Sequence, residues 1–270
     1  MRNIIILGTG RSGTSMVAAT FRSSGAFMGD QLLVATPSNP HGYYEDREIN
    51  LLNNALIRRL LGRPFLGWRI RCRVFPTVHT VPSAFFLASP RRLRQIQPTK
   101  DEVSRMRSFT QREPFCYKDP RFSVTLPTWL PYLPENTGFI VVFRDPMRTI
   151  ESMLRDAKEQ YGPPLPITRN WGYVYWLRTY SRLLGFSETS RNWMFINYDA
   201  MIDRSATTSL SGFASAWLDF SQIDQSTSRS SAHEWPTSRI ARSCHDVYKR
   251  LCERAAVHQQ RCIIQTEAND

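Results

Sequence analysis

The sequence predicts an α/β protein, a parallel sheet flanked by helices on both faces, and three observations carry that expectation. Short apolar runs alternate with amphipathic helical stretches up to about residue 200, the pattern of strands joined by crossover helices. The runs are apolar throughout, as strands covered on both faces are. The first run, Ile4-Ile5-Ile6-Leu7, delivers the glycine-rich turn Gly8-Thr9-Gly10-Arg11-Ser12-Gly13-Thr14-Ser15 to a helix start, so an anion site belongs at the carboxyl edge of strand 3–7.

The helix after that turn is expected over about 14–23, with Met16, Val17, Thr20 and Phe21 facing inward and Gly25 ending it. A turn-forming stretch, 36–46, leads to Asp46 as a cap for helix 47–61, where Ile49, Leu52, Leu56 and Leu60 recur at helical spacing. Five prolines (Pro64, Pro76, Pro82, Pro90 and Pro98) mark 62–98 as irregular structure or a short helical insertion. Thr99 and Glu102 form a capping box for a polar helix to about 111, before a strand at 115–118. A second buried strand spans 139–143, and Pro146 opens a helix whose apolar side is Ile150, Met153, Leu154 and Ala157. An aromatic helix over 170–186, a strand over 193–198, a polar Ser/Thr-rich loop over 221–238 and a closing helix built on Val247, Leu251 and Ala255 complete the chain. With no repeat and no linker, 1–270 reads as a single domain.

Composition narrows the function classes. A hydrophobic content of 41% without any 20-residue apolar stretch excludes a membrane span, and Met1-Arg2-Asn3 leaves no room for a signal peptide before the first strand. Cys72, Cys116, Cys244, Cys252 and Cys262 have neither disulfide nor zinc spacing, and His79, His233, His245 and His258 have no ligand spacing, so no metal site and a reducing, cytoplasmic compartment are expected. The net charge of +12 requires an anionic partner without choosing between nucleic acid, lipid and nucleotide.

The turn 8–15 chooses more sharply. Its Gly8-to-Gly13 spacing fits the triphosphate template G-x-x-x-x-G-K-[ST], but Thr14 stands where the lysine belongs and the cation is Arg11. Backbone N–H groups from Arg11 to Ser15, the hydroxyls of Ser12, Thr14 and Ser15, and the Arg11 fork converge on one anion, which is therefore not an ordinary triphosphate.

Together with Tyr117-Lys118-Asp119-Pro120-Arg121 and Phe143-Arg144-Asp145-Pro146, this turn resembles the PAPS-dependent sulfotransferase family, in its bacterial-type, small-molecule branch. The resemblance implies a P-loop-like sulfotransferase architecture and the cofactor 3'-phosphoadenosine 5'-phosphosulfate (PAPS), with PAP as product. It implies that Gly10, Arg11, Ser12, Gly13, Thr14 and Ser15 cradle the 5' end. Arg144 and Ser152, eight residues apart, match the family's arginine and serine on the 3'-phosphate. Tyr198, in Asn-Tyr-Asp-Ala-Met, resembles the tyrosine that meets adenine, with core packing as its competing role. Lys118 is expected to emerge at the same edge as Arg11 and to neutralise the bridging oxygen as the sulfuryl group leaves. Proline occupies position 120, where phenol-type members carry their histidine base, so Glu45 is nominated as base with Asp46 and His41 in reserve; both acids also read as caps of helix 47–61.

The expected reaction is sulfuryl transfer to a hydroxyl, or an amine, of a small molecule whose pocket would draw on 62–98 and 160–190, including Trp171, Tyr173, Tyr175 and Trp176, which equally suit a helix core. Alanine at Arg11 or Lys118 should slow turnover about a hundredfold with the fold intact. The competing readings are a P-loop kinase using ATP, disfavoured by Thr14 and by Arg144 where a metal-holding acid is usual, and a non-catalytic nucleotide or nucleic-acid binder. Neither nucleic acid nor membrane is an expected partner; acceptor and oligomeric state are not legible.

Overall fold

A computed structural model of the chain describes residues 1–36, 39, 42–61, 97–161, 168–188, 192–221, 223 and 237–267. Four strands, β1 (Ile4–Leu7), β2 (Cys116–Lys118), β3 (Gly138–Phe143) and β4 (Trp193–Asn197), form one parallel sheet in the order β2-β1-β3-β4. The alternation of side chains along each strand divides two cores. Ile5, Leu7, Tyr117, Phe139, Val141, Phe143, Trp193 and Phe195 face one, and Ile4, Ile6, Cys116, Ile140, Val142, Met194 and Ile196 face the other. Both faces are roofed by helices, which is why the strand sequences carry no polar alternation.

The second core is closed by α1 (Thr14–Ser23), through Val17, Ala18 and Phe21. Further along the chain, α2 (Arg47–Leu61), α3 (Lys100–Phe109), α4 (Phe122–Trp129), α5 (Pro146–Tyr161) and α6 (Arg169–Ser187) pack on the first face. Two short helices, α7 (Tyr198–Ile202) and α8 (Thr207–Ala214), join α1 on the second face, and the long closing helix α9 (Arg239–Glu267) returns to the first. The capping box of α3 forms as the spacing requires, with Thr99 Oγ accepting from Glu102 N–H and the Glu102 carboxylate accepting from Thr99 N–H. Among the described residues, no helix is long and apolar enough to cross a membrane.

Three elements depart from expectation. Strand β4 stops at Asn197, whose side chain caps α7, so Tyr198 opens a helix rather than ending a strand. Helix α8, TTSLSGFA, offers only Leu210, Phe213 and Ala214 as apolar contacts among Thr, Ser and Gly, too few to announce a helix. Helix α4 contains Pro127, which cannot donate to the Ser123 carbonyl four residues back; Arg182 of α6 reaches that oxygen at 3.4 Å instead. Burial and the neighbouring Arg178 push the Arg182 guanidinium down to about 10. The expected irregular segment 62–98 lies outside the described residues up to position 96, as does most of the 221–238 loop.

With β1 flanked by β2 on one side and β3 on the other, successive crossovers leave the first strand in opposite directions. The strand order therefore reverses between β1 and β3, and open α/β sheets take their ligands beyond the carboxyl ends of such a strand pair.

Candidate active site

The turn after β1 is shaped by close approach. Gly8 has φ 145°, and a side chain there would strike the Val142 carbonyl of β3; Gly13 has φ 93°, and a side chain there would overlap the Tyr198 ring. Arg11 takes the left-handed conformation at φ 64°, an uncommon position for a residue with a Cβ. Helix α1 has no side-chain cap and no acid in its first turn, so the amide groups of its N-terminus stay available to an anion. The upstream amides are already used: Thr9 N–H donates to the Tyr180 hydroxyl at 3.3 Å and Gly10 N–H to the Tyr175 hydroxyl at 3.4 Å. Burial pushes both phenols up, so they stay protonated; Tyr180 in turn donates a hydrogen bond to the Val142 carbonyl at 2.8 Å. The Ser12 hydroxyl likewise turns inward, to the Thr9 carbonyl at 2.7 Å, leaving its backbone as its means of meeting an anion. Ser15 donates to the Tyr43 carbonyl at 3.4 Å, tying the cradle to the segment that carries Glu45.

A second cation stands at the end of β3. The Arg144 guanidinium lies 4.2 Å from the Tyr198 ring centroid, and the same ring covers Gly13, so Tyr198 bridges the α1 turn and the end of β3. Arg144 Nε is buried and has no hydrogen-bond partner among the described residues. The Asp145 carboxylate caps α5, accepting from Arg148 N–H at 3.1 Å. Ser152, two turns into α5, faces the cradle, where its hydroxyl accepts from Arg11 Nε at 3.1 Å, and Asp156 lies one turn further on, 3.8 Å from the same guanidinium. The Arg11 and Arg144–Ser152 elements thus share one edge.

Lys118 departs from its expected place. It does not emerge at the rim: its side chain is 2% exposed, and Nζ donates to Glu45 Oε1 at 2.6 Å. The cause is the segment before α2, which folds back over the end of β2 and sets a carboxylate on the ammonium. Asp46 caps α2, accepting from Glu48 and Ile49 N–H at 2.9 and 3.1 Å, so of the two acids only Glu45 faces the candidate site. His41 lies outside the described residues.

Behind the pair runs a buried polar network that sequence reasoning missed. Arg121 donates to Asp119 Oδ1 at 3.0 Å, to Asn50 at 3.0 Å and to Asn54 at 2.9 Å, and lies 3.6 Å from Glu45 Oε2. Asn50 donates to both Glu45 and Asp119, and Asn53 to Asp119 at 2.8 Å. Burial works to lower the Arg121 guanidinium, but Asp119 and Glu45 outweigh it and hold its charge. Lys118 and Arg121 balance Glu45 and Asp119, so the cluster is neutral as a whole. A signal existed: Asn50, Asn53 and Asn54 sit at i, i+3 and i+4 among the apolar residues Ile49 to Ile57 of the helix's middle turns, where asparagine has no local reason to be. Of the aromatic group on α6, Trp176 and Tyr173 are core, while Tyr175 reaches the Gly10 amide.

Neither a family model nor a curated protein matches the chain. Among solved structures it is similar to the sulfotransferase domain from the curacin biosynthetic pathway, at 15% identity over 90% of this chain and 83% of that one, with a TM-score of 0.48. A likeness of that degree fixes no chemistry.

Proposed function

We propose that the chain is a sulfotransferase that moves the sulfuryl group of PAPS to a hydroxyl, or an amine, of a small molecule. One observation carries the reading: two anion-holding elements of different make, the uncapped turn of α1 with Arg11 and the partnerless Arg144 Nε, meet at one sheet edge and are joined by Tyr198. A nucleotide with phosphate at both its 5' and 3' positions presents charge at two such places, with a base between them for an aromatic ring. The triphosphate of ATP asks instead for a lysine in the turn and a metal-holding acid near the end of a neighbouring strand.

In this reading the cradle amides and Arg11 hold the 5'-phosphosulfate, Arg144 and Ser152 hold the 3'-phosphate, and Tyr198 packs against adenine. The acceptor oxygen attacks sulfur in line with the bridging oxygen. The new S–O bond forms as the old one breaks; the acceptor proton passes to Glu45, and PAP departs with its new charge met by Lys118 and Arg11. Glu45 accepts from Lys118 and Asn50, and its two oxygens together offer about four lone-pair sites, so capacity for the proton remains.

Transfer of labelled sulfate from PAPS across a panel of alcohols and amines tests the reading, alongside calorimetry with PAP, magnesium-ATP and single-stranded oligonucleotides. PAP binding together with label appearing in an acceptor is the expected result. Magnesium-dependent ATP turnover, or oligonucleotide binding without PAP binding, would overturn it.

A further inference from the structure

The buried network gives Arg121 a task that extends the sulfuryl-transfer reading and rests on it. In the structure the Glu45 carboxylate is met from one side by Lys118 of β2 and from the other by Arg121, which follows β2. Both side chains are nine-tenths or more buried, and so is Asp119, the acid Arg121 also holds. The groups packed around Glu45 are Lys118, Asp119 and Arg121 from the end of β2 and Asn50 from α2; Tyr175 of α6 interacts with Arg121 from beyond it.

For Lys118 to meet charge forming on the departing bridging oxygen, its ammonium must turn from Glu45 Oε1 toward the donor. If it were the sole cation on Glu45, that turn would strand a buried carboxylate, a state costly enough to keep the lysine where it is. Arg121 removes the obstacle. Its guanidinium is fixed at Nε by Asn54 and at NH1 by Asp119 and Asn50, so it stays beside Glu45 Oε2 whichever way Lys118 points.

We propose that Arg121 is a positioning residue: anchored by Asn54, Asn50 and Asp119, it holds Glu45 in place and charge-balanced from behind, leaving Lys118 able to turn to the donor. Lysine at 121 keeps the charge and loses the fork, whereas glutamine loses the charge.

The test compares R121Q, R121K and N54A with the wild-type chain, in PAP affinity by calorimetry and in kcat and KM for PAPS across pH. Glutamine is expected to leave PAP affinity and KM within about twofold, since Arg121 does not touch the donor, to lower kcat by about tenfold or more, and to move the acid limb of kcat to higher pH, because a carboxylate base with one cation removed protonates more readily. R121K should recover most of kcat and return the acid limb. N54A, which loosens Arg121 without removing a charge, should move kcat the same way by less, and it decides the matter should R121Q fail to fold. A fall in kcat with the acid limb unmoved, R121K no better than R121Q, or a loss confined to PAP affinity would overturn the proposal. A wild-type chain that neither binds PAP nor turns over PAPS would remove the underlying reading, a result separate from any of these.

Discussion

Replacing Lys118 with methionine is expected to cost stability and turnover together. Its ammonium lies 2.6 Å from Glu45 Oε1, and the two side chains are 2% and 8% exposed. Removing one member of a buried pair leaves the other charged in a place where water cannot reach it, at a cost of about 3–5 kcal/mol where no other partner exists. Asn50 and Arg121 remain beside Glu45, so the loss should fall at or below the lower end of that range. This corrects the expectation that Lys118 could be removed with the fold intact: burial makes the lysine structural whatever else it does. Turnover should fall about a hundredfold or more, as the charge on the leaving oxygen loses its cation. The double variant K118M/E45Q separates the two effects. Thermal melting should recover toward the wild type once the carboxylate left with one cation instead of two is neutral, while turnover stays low. A K118M protein that melts with the wild type would contradict the buried pair; recovery of turnover in the double variant would contradict the catalytic assignments of both residues.

Arg11→Ala should show the opposite division. The Arg11 side chain is 30% exposed, its ion pair with Asp156 is long, at 3.8 Å, and its hydrogen bond to Ser152 Oγ at 3.1 Å is worth about 1 kcal/mol, so its removal should cost little stability. Alanine retains a Cβ, which leaves the left-handed backbone at φ 64° under the same strain. What disappears is the one side-chain cation of the turn, and with it about 3 kcal/mol of transition-state stabilisation, a turnover loss on the order of a hundredfold. Melting curves of the two proteins should superimpose within a few degrees while PAPS turnover differs by that factor. Unchanged turnover would remove Arg11 from the chemistry.

The contrast between these residues also shows what the sequence could and could not disclose. Strand β1 and its turn were legible because an unbroken apolar run followed by Gly8, Gly10 and Gly13 has few structural solutions; Gly8 and Gly13 answer close contacts with Val142 and Tyr198. The capping box at Thr99 and the proline at the start of α5 were legible because their logic is local. Helix α4 was hidden by Pro127, whose missing hydrogen bond is made good by Arg182, more than fifty residues away. Lys118 read as emerging at the sheet edge beside Arg11 because its burial depends on Glu45, which is 73 positions distant and brought over β2 by the chain before α2. Local pattern announces elements and caps. It is silent on which acid will be set upon which base, and in this site that pairing decides the roles of Glu45, Lys118 and Arg121.

The central claim is that the edge formed by the α1 turn, Arg144 and Tyr198 holds an adenosine bisphosphate. A crystal structure of the chain with PAP tests it most directly. The account predicts the 5'-phosphate on the amides at the N-terminus of α1 beside Arg11, the 3'-phosphate on Arg144 and Ser152, the Arg11–Ser152 contact rearranged to admit it, and adenine against Tyr198. PAP bound elsewhere on the chain, or the turn empty at saturating PAP, would contradict it.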